Sequence, residues 1–238
     1  SDKVIFLTGG SKGIGLECAK AYAFAGAKVI VAALEDNQLI EVVKEIGSGH
    51  LSIPCDVSDA VSVRKAINQA IGKYGRINAI HNNAGFGEPF KQLHETSDEE
   101  WDKLMNINIK GIYHTAKFGF ESLKKSKGSI LNTSSIVGEI GQEMHAAYTA
   151  TKGAVNALTK SMALDYSKFQ IRVNAVSPAA VWTPMLDKWI NEQEHENRDT
   201  MLDYLKVMHP LGNCPNGDVI ADACVFLLSD MARFITGC

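Results

Sequence analysis

Short apolar runs alternate with amphipathic stretches along the whole chain. Val4-Ile5-Phe6-Leu7 reads as a buried strand, and residues 13–26 as a helix with Ile14, Cys18, Ala21 and Ala25 on one face. Residues 28–33 form a second strand, 37–46 a second helix, 51–55 a third strand and 59–74 a third helix. A fourth strand covers 77–81. A long helix begins near Thr96 or Ser97, with Glu99 and Glu100 in its first turn as capping favours. Residues 129–133 and 172–176 are the fifth and sixth strands, with a helix over 147–166 between them. This alternation implies parallel strands joined by crossover helices, hence an α/β fold: one doubly wound, Rossmann-type sheet with helices on both faces. No Pro/Gly/Ser-rich linker divides the chain, so a single domain over 1–238 is expected. Residues 182–209 break the rhythm, being charged and rich in Met and Trp. They read as a helical flap over a site, with a plain surface insertion as the alternative.

The first candidate chemistry follows the first strand. Thr8-Gly9-Gly10-Ser11-Lys12-Gly13-Ile14-Gly15 opens the first helix. Small residues there let the backbone turn tightly and approach a pyrophosphate, which the free N–H groups of the helix N-terminus stabilise. The spacing is G-x-x-x-G-x-G, and glycines also make ordinary strand–helix turns; the position right after strand one favours dinucleotide binding. At the end of the second strand, an NAD binder usually places an acid against the ribose hydroxyls. Here Ala33 stands at that point, followed by Leu34, Glu35 and Asp36. Lys12 could attract a 2′-phosphate, whereas Glu35 and Asp36 would repel one if they point inward. The balance leans slightly to NADP(H) over NAD(H).

Tyr148 and Lys152 stand at i, i+4 on a predicted helix, so phenol and ammonium share one face. An ordinary Tyr titrates near ~10, and acid/base work at neutral pH needs that value lowered by about 3, roughly 4 kcal/mol. A nearby Lys⁺ and an oxidised nicotinamide supply help of that sign. Tyr-x-x-x-Lys alone is common on helix surfaces. Ser135, thirteen residues before Tyr148, ends a strand at the carboxyl edge where such sheets bind ligands, and its hydroxyl can donate to a substrate oxygen. Ser134 is the neighbouring alternative, since alternation lets only one of them face the site. Asn82-Asn83-Ala84-Gly85 follows the fourth strand, either packing close to a cofactor or forming a simple Asn-rich turn.

With these motifs, the chain resembles the short-chain dehydrogenase/reductases. The matching segments are 8–15, Asp56-Val57, 82–85, Asn108 within Asn106-Ile107-Asn108-Ile109-Lys110-Gly111, Ser135, Tyr148/Lys152, and Ser177-Pro178 followed by Thr183. The resemblance implies Tyr148 as acid/base, Ser135 polarising the substrate oxygen, and Lys152 lowering the Tyr pKa while holding the nicotinamide ribose. It implies Asn108 as the anchor of a proton-relaying water. It places Asp56 and Val57 at the adenine, Asn83, Ala84 and Gly85 along the cofactor, and Pro178, Val181 and Thr183 near the nicotinamide. No metal is implied. Ile140-Gly141-Gln142 and Val181-Trp182-Thr183-Pro184 are similar to 17β-hydroxysteroid and fucose dehydrogenase-type members. Ala33 departs from the Asp of many NAD-using relatives, and Ala179 replaces a frequent Gly. At Thr236-Gly237-Cys238 relatives continue into a seventh strand, so an edge strand that often helps build the tetramer is expected to be missing.

Composition adds limits. Of 238 residues, 45% are hydrophobic and 21% charged, with a net charge of −3. That balance suits a sizeable core and excludes a basic nucleic-acid surface; Lys124, Lys125 and Lys127 sit at a helix end, where they complement its dipole. Cys18, Cys55, Cys214, Cys224 and Cys238 have no CxxC or metal spacing, which points to a reducing compartment. With no signal peptide or apolar span in view, a cytoplasmic enzyme is expected. The reading is a nicotinamide-dependent alcohol/carbonyl oxidoreductase, a homo-oligomer (dimer or tetramer), acting on a small or medium substrate. Its pocket would draw on residues 86–90, 139–145 and the flap, with Met144, His145, Met185 and Trp189 as contacts or packing. His145 reads as a polar wall. A cofactor-sensing regulator without turnover, or a lyase or isomerase using Glu139 or Glu143, are the competing readings.

Overall fold

The computed structural model describes residues 2–34, 37–191 and 198–238. Six parallel strands form one sheet in the order β3-β2-β1-β4-β5-β6. They are β1 (Val4–Thr8), β2 (Lys28–Ala33), β3 (Leu51–Pro54), β4 (Ala79–Asn82), β5 (Ser129–Thr133) and β6 (Arg172–Val176). The chain reverses its direction of travel across the sheet between β1 and β4, the switch point where such sheets open a crevice at their carboxyl ends.

Alternation within the strands builds two cores. Val4, Phe6, Ile30, Ala32, Ile80 and Ile130 face one side, packed by α3 (Ala60–Tyr74), α5 (Gly111–Ser126) and α7 (Ala146–Ser167). Ile5, Leu7, Val29, Val31 and Leu131 face the other, under α1 (Gly13–Phe24), α2 (Asn37–Ile46) and α10 (Gly217–Leu228). Strands buried on both faces have to be apolar almost throughout, which is why β1 and β2 carry no charged residue inside them.

The long helix expected from Ser97 divides. Ser97 caps α4 (Asp98–Met105), its hydroxyl accepting from Glu100 N while the Glu100 carboxylate accepts from Ser97 N, a reciprocal capping box. A π-helical turn over Asn106–Lys110 then precedes α5. Such wide turns disturb the side-chain register and mark functional positions. The short α6 (Val137–Ile140) follows β5. The flap contains α8 (Pro184–Asn191) and α9 (Arg198–Val207), so its described part is helical as expected; residues 192–197 lie outside the described residues, as do Glu35 and Asp36. Ile190, Met201, Leu205 and Cys214 give the flap its own small core, with Trp189 packed against it. At the far edge, Gly237 N donates to Val173 O and Ala175 N to Cys238 O, so the last residues do line the free edge of β6.

Ile80 sits wholly buried in the centre of β4 and reaches Gly119 on α5, where even a methyl group would meet its Cδ1 at 2.4 Å. Ile80→Ala is expected to destabilise the protein by about 2–5 kcal/mol, read from the urea midpoint.

Candidate active site

The carboxyl ends of β1, β4, β5 and β6 lead into the glycine loop, residues 83–85, Ser135 and Pro178 along one rim of the sheet. Tyr148 is the third residue of α7, in the turn where the helix dipole favours negative charge, and Lys152 lies one turn further on. Ser135, just past β5, sets its hydroxyl near that of Tyr148, where it favours the phenolate. Its Oγ also donates to Pro178 O at 3.5 Å and accepts from Val137 N at 3.4 Å, both long contacts that leave it available. Ser134 turns inward and donates to Lys152 O, so of the two serines it is Ser135 that stays at the rim.

Lys152 is 5% exposed, and its ammonium donates to Thr133 O at 2.8 Å, 5.5 Å from the centre of the Tyr148 ring. Burial pushes the lysine down to about 8. Burial likewise pushes Tyr148 up to about 12, against the opposing pull of the Ser135 hydroxyl. The lowering expected from Lys152 is not seen: desolvation raises the phenol and only the Ser135 hydroxyl opposes it. Asn108, on the π-helical turn, is 2% exposed and fully engaged. Its Oδ1 accepts from Phe86 N, and its Nδ2 donates to Phe86 O and Thr151 Oγ1. The side chain thus binds the β4 loop to α7.

The glycine loop is sewn to that same β4 loop. Thr8 Oγ1 accepts from Asn83 N and Ala84 N, and Asn83 Nδ2 donates to Gly9 O at 3.0 Å. Gly9 and Gly13 take left-handed φ of 64° and 57°. A Cβ on Gly9 would lie 2.7 Å from Ala84 Cα, and one on Gly15 would lie 2.2 Å from Gly9 O, so neither position admits a side chain. Thr183 packs beside Gly13 and accepts from Leu186 N at the start of α8, while Val181 is buried.

Comparison with known proteins now has a geometry to meet. A family model described as enoyl-(acyl carrier protein) reductase matches residues 9–238. L-fucose dehydrogenase of Mus musculus is 36% identical over 237 residues, covering 100% of this chain and 85% of that protein. The 2,5-dichloro-2,5-cyclohexadiene-1,4-diol dehydrogenase of Sphingobium indicum is 36% identical over 239 residues, covering 100% and 94%. The crystal structure of 3-ketoacyl-(acyl-carrier-protein) reductase from Brucella melitensis complexed with NADH superposes with a TM-score of 0.90 at 30% identity, covering 99% of this chain and 94% of that one. The chain belongs to the short-chain dehydrogenase/reductase family. It is an NAD(P)-dependent oxidoreductase of CH–OH groups.

The residues of this short-chain dehydrogenase/reductase fit a nicotinamide dinucleotide. The first turn of α1 carries no acid and Lys12 gives it no side-chain cap, so its N–H groups are left for an anion, and Gly15 lets the turn close tightly on Gly9 and Asn83. Ser11 is buried against this loop; Lys12 is exposed at its mouth, and Ile14 packs into the core below. Gly85 lies between Asn108 and Lys152, where a methyl group would be 3.7 Å from Oδ1 and from Nζ. Val57 packs on Gly111, and its carbonyl accepts from His114 Nδ1. Asp56 is exposed and turns one carboxylate oxygen to Ser58 N and Oγ. On its outer side the loop borders a cleft of about 700 Å³ between α1, α2, Trp182 and Asn216.

Residues that the sequence did not single out complete the frame. Thr133 holds Lys152 through its carbonyl and, through Oγ1, bonds His81 Nε2 at 2.9 Å. His81 is fully buried, held down to about 3 by desolvation, and its Nδ1 accepts the Tyr22 hydroxyl at 2.9 Å. Among the described residues, Cys18, His81 and Cys224 are three potential metal ligands within 4.8 Å of one another. One of them is already engaged, the His81 Nδ1 being bonded to the Tyr22 hydroxyl. Glu139 accepts from Asn156 Nδ2, which ties it to α7 rather than to the rim.

The drop of Lys152 from 10.5 to about 8 corresponds to roughly 3 kcal/mol spent on carrying a buried charge. A lysine with a depressed folded pKa carries that cost below about 8 and loses it above 10.5, where both states are neutral. Lys152→Met is therefore expected to raise stability at pH 7 by about 1–3 kcal/mol, after the lost bond to Thr133 is discounted. The gain should fade as urea unfolding is repeated at pH values rising past 10.5.

Proposed function

We propose that Tyr148 is the acid/base of a reversible alcohol/carbonyl oxidoreduction, with Ser135 orienting the substrate oxygen and Lys152 supplying positive charge below the phenol. The observation that carries this reading is convergence: Ser135 stands near enough to the Tyr148 hydroxyl at the carboxyl end of β5 to favour its anion, with the Lys152 ammonium 5.5 Å from the ring centre. The dinucleotide would lie along Gly9, Ser11, Lys12, Gly13, Ile14 and Gly15 at its phosphates, Asp56 and Val57 at the adenine, and Asn83, Ala84 and Gly85 along its middle. Pro178, Val181 and Thr183 would take its nicotinamide end. Bound there, the nicotinamide supplies the hydride acceptor or donor.

The chain's own residues handle the proton. In reduction, the protonated phenol of Tyr148 donates to the carbonyl oxygen while Ser135 Oγ steadies the charge growing on it. In oxidation, the phenolate accepts the alcohol proton, and Lys152 and the α7 N-terminus favour that anion. Asn108 fixes the Phe86 backbone against Thr151, which holds the β4 loop in place beside Lys152. The candidate pocket wall combines Gln142 and His145 with Phe90 and Met185, a polar side facing an apolar one. Small polyhydroxy alcohols and their carbonyl partners suit that mixture, as the two dehydrogenase relatives' names suggest.

Tyr148→Phe should cost about 10²–10⁴ in turnover and leave cofactor binding intact, tested on a panel of aldoses, diols, steroids and hydroxy acids with both cofactors. Turnover undiminished in that variant would refute the assignment. Because burial raises Tyr148 and lowers Lys152, oxidation should gain kcat/KM as pH rises from roughly 6 to 9, whereas reduction should not.

On the cofactor, exposed Lys12 and the absence of a carboxylate at Ala33 tip the balance to NADP(H). Lys12→Met should then weaken NADPH binding about tenfold and leave NADH binding unchanged, as measured by calorimetry. The free thiols, with Cys18, Cys55, Cys214 and Cys224 buried, support a reducing, cytoplasmic setting. Exposed Tyr113 on α5 and Phe226 on α10 support a homo-oligomer, which light scattering should report as a dimer or tetramer.

A further inference from the structure

His145 stands immediately before α7, three residues ahead of Tyr148, and its imidazole lies flat on the phenol. The ring centres are 4.4 Å apart with 15° between planes. Both ring nitrogens are held. Nε2 donates to Gly87 O at 2.6 Å, and Nδ1 meets the Gln142 side-chain amide at 2.9 Å. Since Gly87 O can only accept, the neutral ring carries its proton on Nε2, and Nδ1 takes an N–H from Gln142 once that amide is turned end for end. Phe90 closes on the ring as well, at 4.8 Å and 54°. An imidazole fixed at two points in its plane and packed on its face has no rotational freedom left.

The backbone makes a conformational concession to put it there. Met144 has φ 56°, left-handed territory that a non-glycine residue enters at a cost of about 1 kcal/mol. That turn aims His145 back over Tyr148 and toward Gly87, 58 residues away in sequence. Such strain persists where surrounding contacts over-determine it, and here the contacts are those of His145.

We propose that His145 is the positioning residue of Tyr148, fixing the plane of the phenol and keeping water off one of its faces, while Gly87 ties the same ring to the substrate-side loop. The role in catalysis rests on Tyr148 being the acid/base; the stacking and water exclusion do not. The charged and titratable groups around the pair are few. Lys152 lies on the phenol side, and Glu88 on the Gly87 loop is paired with Lys188 of α8. Glu143, on the connection before α7, is exposed. His145 itself is held toward its neutral form by burial.

The test uses the whole protein labelled with ¹³Cζ-tyrosine, the Tyr148 signal being assigned by its loss in Tyr148→Phe. Removing the ring in His145→Ala admits water to the phenol, so its ionisation midpoint should move lower by roughly one pH unit. His145→Phe keeps a flat ring and should hold the midpoint near that of the natural protein. A midpoint unchanged in His145→Ala, or moved equally in both variants, overturns the proposal. In turnover of the best panel substrate, His145→Ala should lose about 10–100-fold in kcat with cofactor affinity within about twofold, and His145→Phe should recover most of it. Full kcat in His145→Ala while Tyr148→Phe is inactive would sink the positioning role alone. Full activity in Tyr148→Phe would instead sink the acid/base reading and leave the NMR result to decide the stacking.

Discussion

A lysine ammonium buried at the rim of the sheet, with Thr133 O as its protein acceptor, is the constraint around which this site is arranged. A charge in that position is costly, and the depression of Lys152 to about 8 measures the cost. The fold keeps it because the alternative, a solvated lysine, would place its field in water where the effective dielectric makes it weak. Buried, the same charge lies 5.5 Å from the centre of the Tyr148 ring. The cost falls on stability, and what the rest of the rim contributes is a fixed geometry around the charge.

That rigidity comes from hydrogen bonds among loops that would otherwise move independently. Thr8 receives two backbone N–H groups of the β4 loop, Asn83 reaches back to the glycine loop, and Asn108 clamps Phe86 to Thr151. Each of these polar groups is buried or half-buried and has its partners. A fully satisfied network of this kind specifies one arrangement rather than adding much net stability, since any slip leaves a buried donor unmet. The glycines belong to the same logic. Gly9 and Gly15 allow the backbone to pack this closely, and that contact shapes the glycine loop.

Much of this was legible in the letters. Six strands could be read because runs such as Val4-Ile5-Phe6-Leu7 have no other home than a doubly covered sheet. Boundaries slipped where side chains took over the ladder's work: Ile77 N is held by Ser122 Oγ, so β4 begins at Ala79 rather than at 77. The π-helical turn at Asn106–Lys110 has no local signature, because its cause is tertiary, the demand of Phe86 and Thr151 on one asparagine. Helix α10 went unread altogether. Tyr148 and Lys152 could be singled out from their spacing, and Ser135 from its place at a strand end. Thr133 was not, because it holds the lysine through a backbone carbonyl that every residue type possesses. The partner of His145 lies 58 positions away, and no pattern in sequence joins them.

The opposite shifts of Tyr148 and Lys152 share one cause, and that has a chemical consequence. Burial disfavours the charged form of each, so the pair left to itself rests as phenol and a weakened ammonium. A site in that condition is a proton donor, matched to carbonyl reduction. To run toward oxidation it must gain positive charge near the phenol or lose some of its desolvation. A cationic oxidised nicotinamide does the first, and loosening of the ring stacked on Tyr148 would do the second. With Tyr148 as the proposed acid/base, the direction of proton transfer would be set less by the tyrosine than by what covers it, and His145 with the loop that holds it would help balance the two directions.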